Sequence, residues 1–352
     1  MNNILFSISL NEYSQATIHE DSEGQKQLRV TGLAPVNYQE QAERILLGPL
    51  SASFPPQALL ALLGSRFSRS KKCARLMLEV VANRAFAIHA TRLGVIDGFS
   101  ELQPGIFELQ CKRQTFWQNP LPWLTAPFSG YTAPDWCFSG EKRHPRRPPI
   151  SSGEVYRRYL PGLNASFSLR TVNLDRDLQA FNKWMNLEQI AYFWEQTGTQ
   201  EEHAAYLAEL FEDPRVHPLI GCFDDEPFAY FEVYWCKEDR IAPYYDVHDY
   251  DRGWHVAIGE SKHQSVGKLK AWFQSLMHYI FLDDLRTQRI LGEPRIDHGR
   301  QIDFLKSQGY GHLKSIQLPH KQAALLRLER ETFLIHIVCD LYGNFYVASM
   351  AI

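Results

Sequence analysis

Two short stretches hold residues whose types and spacing could do chemistry. The first is "DRGWHVAIGE", residues 251–260, where His255 sits among Trp254, Val256, Ala257 and Ile258. An imidazole titrates near neutral pH, so it could accept a proton or bind a polar group of a ligand. A lone strand histidine is more often a satisfied core residue, and the alternation leaves both readings open. The second is "SKHQSVGK", residues 261–268, where Gln264 and Gly267 have the spacing Q-x-x-G. A glycine-bearing loop feeding a helix offers backbone N–H groups at the positive end of the helix dipole, which suits a pyrophosphate. Lys262 and Lys268 could add charge. By itself the motif is short and arises often by chance.

These groups need elements to hold them. "WHVAIGE" reads as a strand. After the loop, Leu269, Trp272, Phe273, Leu276, Met277, Ile280 and Phe281 follow helical spacing and predict an amphipathic helix with one broad apolar stripe. "RTQRILGEP" reads as the next strand and "GRQIDFLKSQG" as a helix ended by Gly309. "HLKSIQL" and "AALLRLER" read as paired strands. Upstream, "FSLRTV" is a strand and "LDRDLQAFNKWMN" a helix, followed by the aromatic stretch "IAYFWEQTG". "TQEEHAAYLAELF" opens on a capping box, Thr199 with Glu202. "HPLIGCF", the turn "DDEP" and "FAYFEVYW" make a strand, turn and strand.

The preceding half carries no motif that attaches to chemistry. "QLRVTGL", "CARLMLEVV", "AFAIHATRL" and "GIFELQCK" read as strands, and "QEQAERILLG" and "QALLALLG" as helices. Between the halves, residues 126–153 are rich in Pro, Gly and Ser, with a basic cluster at Lys142, Arg143, Arg146 and Arg147. This reads as a solvated linker. The expected organisation is an N-terminal mixed α/β domain over 1–125 and the linker over 126–153. A second α/β domain over 154–335 and a tail over 336–352 complete it.

The 352 residues fit two domains of ordinary size, and 45% hydrophobic content makes them globular. A net charge of −3 argues against a general nucleic-acid binder, whose signature is a basic excess. The six cysteines, Cys73, Cys111, Cys137, Cys222, Cys236 and Cys339, form no C-x-x-C pair, so no zinc ribbon is expected and no metal site. Sparse cysteines fit a reducing compartment. With no basic leader and no apolar run of transmembrane length, the expectation is a cytoplasmic protein without a membrane span.

The order strand, phosphate-type loop, helix, strand, short helix and final strand resembles the acyl-CoA core of the GNAT acyltransferase superfamily. That fold, α/β of the α+β kind, is expected in the C-terminal half. The smaller mixed α/β domain before it is a candidate degenerate copy. Where the superfamily loop has a final small residue, this chain has Leu269. Longer strings are similar to the aerobactin-type N-hydroxylysine acetyltransferases of hydroxamate siderophore synthesis. They are "GEVYRRYLP", "WMN", "YFWEQTG", "PLIGCFDDEPFAYFEVYW", "EDRI", "DRGWHVAIGE", "LRTQRILGEPRIDHGR" and "PHK".

The resemblance implies acyl transfer from acyl-CoA to the nitrogen of an N-hydroxylated amine, giving a hydroxamate. It makes His255 and Glu293 the catalytic pair, with Asp297 as a competing carboxylate. It places CoA on Val256, Ile258, Gln264, Ser265, Val266, Gly267 and Lys268. The acceptor groove is expected at Trp184, Asn186, Phe193, Trp194, Glu195, Tyr234 and Trp235, although each aromatic alone is more often core. Acyl-CoA enters as co-substrate, with no permanent cofactor. A siderophore synthetase and an N-monooxygenase of the same pathway are implied partners, and a homodimer is a further expectation. Acetyl transfer to N-hydroxylysine comes first. Succinyl transfer to N-hydroxyputrescine or N-hydroxycadaverine, and a non-catalytic partner of a synthetase, are the alternatives.

Overall fold

A computed structural model describes residues 3–11, 14–70, 73–126 and 134–334. The expected tail lies outside the described residues, as do residue 335 and residues 127–133 of the expected linker. By its contacts the chain divides into two compact units. Over the described residues, the first is Met1–Thr125 with Arg158–Ala165, and the second is Ala126–Arg157 with Ser166–Ile337.

The first unit is built on eight strands: β1 (Asn3–Asn11), β2 (Ser14–Glu20), β3 (Lys26–Val30), β4 (Val36–Gln41), β5 (Arg44–Leu47), β6 (Arg75–Val81), β7 (Gly98–Gln103) and β8 (Ile106–Lys112). Their order in the sheet is β1-β2-β3-β4-β5-β6-β8-β7. Every pairing is antiparallel except β5 with β6. A parallel step needs a crossover, and helix α1 (Leu59–Arg69) supplies it. Gly64 lets α1 press onto β1, because a Cβ there would lie 2.4 Å from the Phe6 ring. Helices α2 (Arg84–Arg92) and α3 (Arg113–Gln118) follow β6 and β8.

Two expectations fail in this unit. "AFAIHATRL" is not a strand but α2, started by Asn83, whose side chain accepts from Phe86 N at 2.8 Å. Ala87 and Ala90, three apart, are its buried face. "QEQAERILLG" is not a helix but the β4–β5 hairpin, turned at Ala42 with φ +50°. The buried residues Val36, Tyr38, Ile45 and Leu47 alternate within each strand, the strand period.

The described residues of the stretch expected to be a solvated linker are also ordered. It carries a hairpin of β9 (Trp136–Ser139) and β10 (Lys142–Pro145). Arg147 is buried in a two-pronged pair with Glu238, at 2.5 and 2.6 Å. Lys142 Nζ donates to the carbonyls of Glu238 and Asp239. Arg143 stacks on Trp136 and Arg146 pairs with Asp135, so the basic cluster is engaged within the chain.

The second sheet is formed by β11 (Glu154–Leu160), β12 (Ala165–Thr171), β13 (Val216–Phe223), β14 (Glu226–Trp235), β15 (Arg252–Ile258), β16 (Arg289–Gly292), β17 (Gly311–Gln317) and β18 (Gln322–Glu329). Its order, β11-β12-β13-β14-β15-β16-β18-β17, repeats the first sheet strand for strand. Its parallel step from β15 to β16 falls at the corresponding place and is bridged by α7 (Val266–Asp283). Helix α8 (Gly299–Ser307) connects β16 to β17. Both units therefore carry one topology.

They differ where a ligand would bind. Between β12 and β13 the second unit inserts α4 (Leu174–Met185), α5 (Glu188–Trp194) and α6 (Gln200–Glu212), whereas β2 and β3 are joined by a short turn. The first turn of α1 is wholly buried, while residues 264–266 at the start of α7 are exposed. The expected amphipathic stripe of α7 is also wrong: it is buried on all sides from Ala271 to Leu282, including Gln274, Ser275 and His278. A helix covered on every face is a core helix.

Candidate active site

The centre of the site is set by strand register. Glu232 on β14 lies directly opposite His255 on β15. Glu293 follows the last residue of β16. His255 Nδ1 is 3.0 Å from Glu232 Oε2, and its Nε2 is 2.9 Å from Glu293 Oε1. The carboxylates are buried, with side chains 8% and 2% exposed, while the imidazole is 28% exposed. The imidazole is therefore the member of the cluster most open to solvent.

Each carboxylate is held by further donors. Tyr206 on α6 and Tyr230 on β14 both donate to Glu232 Oε1. Tyr234 Oη donates to Glu293 Oε2 at 3.0 Å, and Lys321 Nζ to the Glu293 carbonyl at 2.8 Å. Gly253 makes room for Tyr234, whose ring lies 2.2 Å from where a Cβ would stand. Burial and the Glu232 charge push the Tyr206 and Tyr230 phenols up, and burial and Glu293 do the same to Tyr234, so all three remain donors.

Two ring nitrogens facing two carboxylates fix the protonation state. A neutral imidazole donates from one nitrogen only, which would leave the other lone pair against a carboxylate. Burial disfavours the charge on His255, but the hydrogen bonds and charges of Glu232 and Glu293 outweigh it and push the imidazolium up to about 9. Burial likewise acts against Glu293 ionisation, yet His255 and Lys321 hold it down at about 2. Glu232 is lowered for the same reason, with His255 overcoming burial. This runs against the expectation that His255 has a pKa suited to accept a proton near neutrality: with both nitrogens facing carboxylates, the charged ring is favoured.

The competing carboxylate is elsewhere. Asp297 is 53% exposed and pairs with Arg295, whereas Glu293 is in contact with His255. Several expected groove residues are core. Trp184 is 1% exposed, packs in the cluster under β13–β15, and hydrogen-bonds Glu260. Trp235 is buried between the guanidinium groups of Arg147 and Arg252. Tyr234 is buried but touches the site through Glu293. Asn186 is exposed and exchanges hydrogen bonds with the Gly198 backbone, closing the loop between α5 and α6. Glu195 is exposed at φ +53°, just past α5. Phe193 is exposed against His298, and Trp194 stands edge-on to His255 at 5.9 Å.

Glu232, Tyr206 and Lys321 were not singled out from sequence. Glu232 had a signal: it is the one charge inside "FAYFEVYW", and an acid in a fully buried strand needs a partner.

The cofactor-binding expectations fall on one continuous edge. Cys236 N donates to Asp251 O and Gly259 N to Phe228 O. Counting by twos along the unbroken register makes Glu232–His255 and Tyr230–Ala257 hydrogen-bonded pairs. Val256 and Ile258 then turn their main-chain groups away from β14, toward β16. The parallel pairing with β16 covers only Arg252 and Gly253. Beyond that point no strand of the sheet pairs with the edge, and the Trp194 indole N–H reaches the Val256 carbonyl.

The edge leads to the loop before α7. Ser265 caps the helix by accepting from Lys268 N, leaving the Val266 and Gly267 N–H groups at the exposed helix start. Gln264 is exposed beside them. Lys268 Nζ is 2.9 Å from His263 Nδ1, and Lys262 pairs with Glu226. The arrangement fits a pyrophosphate through main-chain donors and the helix dipole. An extended thioester along β15 would end beside the Glu232–His255–Glu293 cluster.

A model of the acetyltransferase (GNAT) domain matches residues 173–318. The chain is similar to N(6)-hydroxylysine O-acetyltransferase of Escherichia coli, 36% identical over 68% of this chain and 75% of that one. It is 40% identical to a Schizosaccharomyces pombe protein whose name proposes lysine N-acyl transfer, over 63% of this chain and 66% of that one. It is also 41% identical to N(5)-hydroxyornithine:cis-anhydromevalonyl coenzyme A-N(5)-transacylase of Beauveria bassiana, over 54% of this chain. That match spans 43% of the Beauveria protein.

Proposed function

The chain belongs to the hydroxamate-siderophore N-hydroxyamine acyltransferase family, within the GNAT superfamily, and on that premise we propose that it transfers an acetyl group from acetyl-CoA to the hydroxylated nitrogen of N-hydroxylysine. Acyl-CoA is the co-substrate of this fold. The observation that carries the reading is the meeting of an open β15 edge, an exposed helix start and the buried Glu232–His255–Glu293 cluster.

An N-hydroxylamine is less basic than an alkylamine, so much of it is neutral near pH 7 and can attack the thioester directly. Holding the two reactants together supplies much of the acceleration. The carbonyl becomes an oxyanion, which a main-chain N–H on the open edge of β15 would stabilise. As the C–N bond forms, nitrogen sheds a proton. His255 is already protonated, so Glu293 is the accepting group, with the imidazolium beside it steadying the charge. Collapse breaks the C–S bond, and the cluster returns the proton to the CoA thiolate. Glu232 acts through His255 as a positioning residue.

The substrate's N–O bond must be made by an N-monooxygenase, and the hydroxamate is suited to a siderophore synthetase. A cytoplasmic setting belongs to the same reading. Among the described residues no helix is long and apolar enough to cross a membrane. Mass spectrometry of products from acetyl-CoA and succinyl-CoA with N-hydroxylysine and N-hydroxycadaverine tests the proposal. The expected product is the N-acetyl hydroxamate of N-hydroxylysine, coloured by iron(III). Exclusive succinylation of the diamine would overturn the choice of substrates.

A further inference from the structure

Trp194, the last residue of α5, occupies the open edge of β15. Its Nε1–H donates to the Val256 carbonyl at 3.1 Å. That carbonyl is one of the main-chain groups turned away from β14, on the stretch where pairing with β16 has ended. The indole also stands 5.9 Å from the His255 ring and 5.8 Å from Tyr230. It therefore lies beside both the strand edge and the imidazole, where the acyl end of a bound thioester would arrive.

The side chain is fixed from several directions. Ile190, one turn earlier on α5, is buried in the core cluster, and the indole packs against that cluster. Tyr192 lies under the Arg295 guanidinium at 5.4 Å, and Phe193 is 4.7 Å from His298. Past the helix, Glu195 closes it by donating its N–H to Ala191 O, and the Asn186–Gly198 hydrogen bonds tie the next loop back. A wall held this way does not step aside cheaply for a longer chain.

We infer that Trp194 sets the length of the acyl group the enzyme accepts, closing the acyl end of the site so that an acetyl fits and longer chains meet the indole. The inference rests on the proposed acyl-CoA chemistry and adds the residue that selects the donor. A wall of this kind discriminates by volume, and one or two surplus methylenes in a fixed pocket cost roughly ten- to two-hundredfold.

The test compares acetyl-CoA with butyryl-CoA, for the wild type and Trp194→Ala. Affinity is read by calorimetry without acceptor, and kcat/KM with N-hydroxylysine. The wild type is expected to favour acetyl-CoA by about a hundredfold in kcat/KM, and Trp194→Ala to narrow that preference about tenfold or more. Trp194→Leu, made in parallel in case the alanine variant folds poorly, is expected to narrow it by less. Wild-type tolerance of butyryl-CoA, or an unchanged preference in a folded variant, overturns the inference. A variant that alters only the acceptor KM also overturns it, placing the indole on the acceptor side. Because the affinities need no acceptor, absence of turnover with N-hydroxylysine refutes the proposed function separately.

Discussion

Glu232→Gln is the sharpest probe of the buried cluster. The amide keeps a carbonyl oxygen for the Tyr206 and Tyr230 hydroxyls and turns its NH2 toward His255 Nδ1. That arrangement suits a neutral ring that donates only from Nε2 to Glu293. In the native protein His255 is raised from 6.5 to about 9 against the effect of burial, and Glu232 and Glu293 each supply one hydrogen bond and one charge. Removing one of two comparable contributions halves the upward push while leaving the burial penalty intact. The His255 midpoint should then fall clearly below 9, toward the ordinary imidazole range. The assay is an NMR pH titration of the imidazole, assigned among the 13 histidines by its loss in His255→Asn. The alkaline limb of kcat/KM should move down by the same amount. A His255 midpoint that stays near 9 in Glu232→Gln would refute the two-carboxylate account.

Glu293→Gln is expected to lower kcat by about a hundredfold or more, the usual worth of a positioned proton acceptor, while Asp297→Asn stays within about twofold. Steady-state kinetics on both variants checks this, and the reverse ranking would return the role to Asp297. Gly267→Val is expected to raise the acetyl-CoA KM about tenfold or more with a smaller change in kcat, since a β-branched side chain crowds the main-chain donors at the start of α7. Calorimetric titration with CoA should give the same loss, and unchanged affinity would remove the loop from the site. Stability should follow His255 as well. Its folded pKa lies above its unfolded value, so its contribution is complete below about 6.5 and is lost as pH rises through about 9. The melting-temperature advantage of the wild type over His255→Asn should therefore shrink across that interval. A constant difference would contradict it.

The second unit was largely legible because its strands and helices are long enough to show their periods. The run from β12 to β18 was readable in order, and the Thr199–Glu202 capping box is present as expected. The first unit was less so. Its β4–β5 hairpin and α2 are short, and the β6 partner of β5 lies beyond α1. Within the site, His255, Glu293 and the α7 loop could be found from motif strings. Glu232 could not be placed, because which residue of β14 faces His255 is a matter of strand register. The choice between Glu293 and Asp297 had the same root. Pro294 follows the strand end, after which Arg295 turns to pair with Asp297 in solvent. Aromatic residues were the poorest guide: Trp184 and Trp235 support the sheet, while Trp194, four residues from the buried Ile190, reaches the open edge.

Acyl transfer from acyl-CoA to a hydroxylated nitrogen is the activity proposed for this cluster. The most direct test is the ratio of kcat/KM for N-hydroxylysine to that for lysine, with acetyl-CoA at pH 7. The expected ratio is at least about a hundred, because lysine is almost wholly protonated there and Glu293 is too weak a base to deprotonate it. A ratio near one, or a preference for lysine, would mean that the enzyme acylates ordinary amines instead.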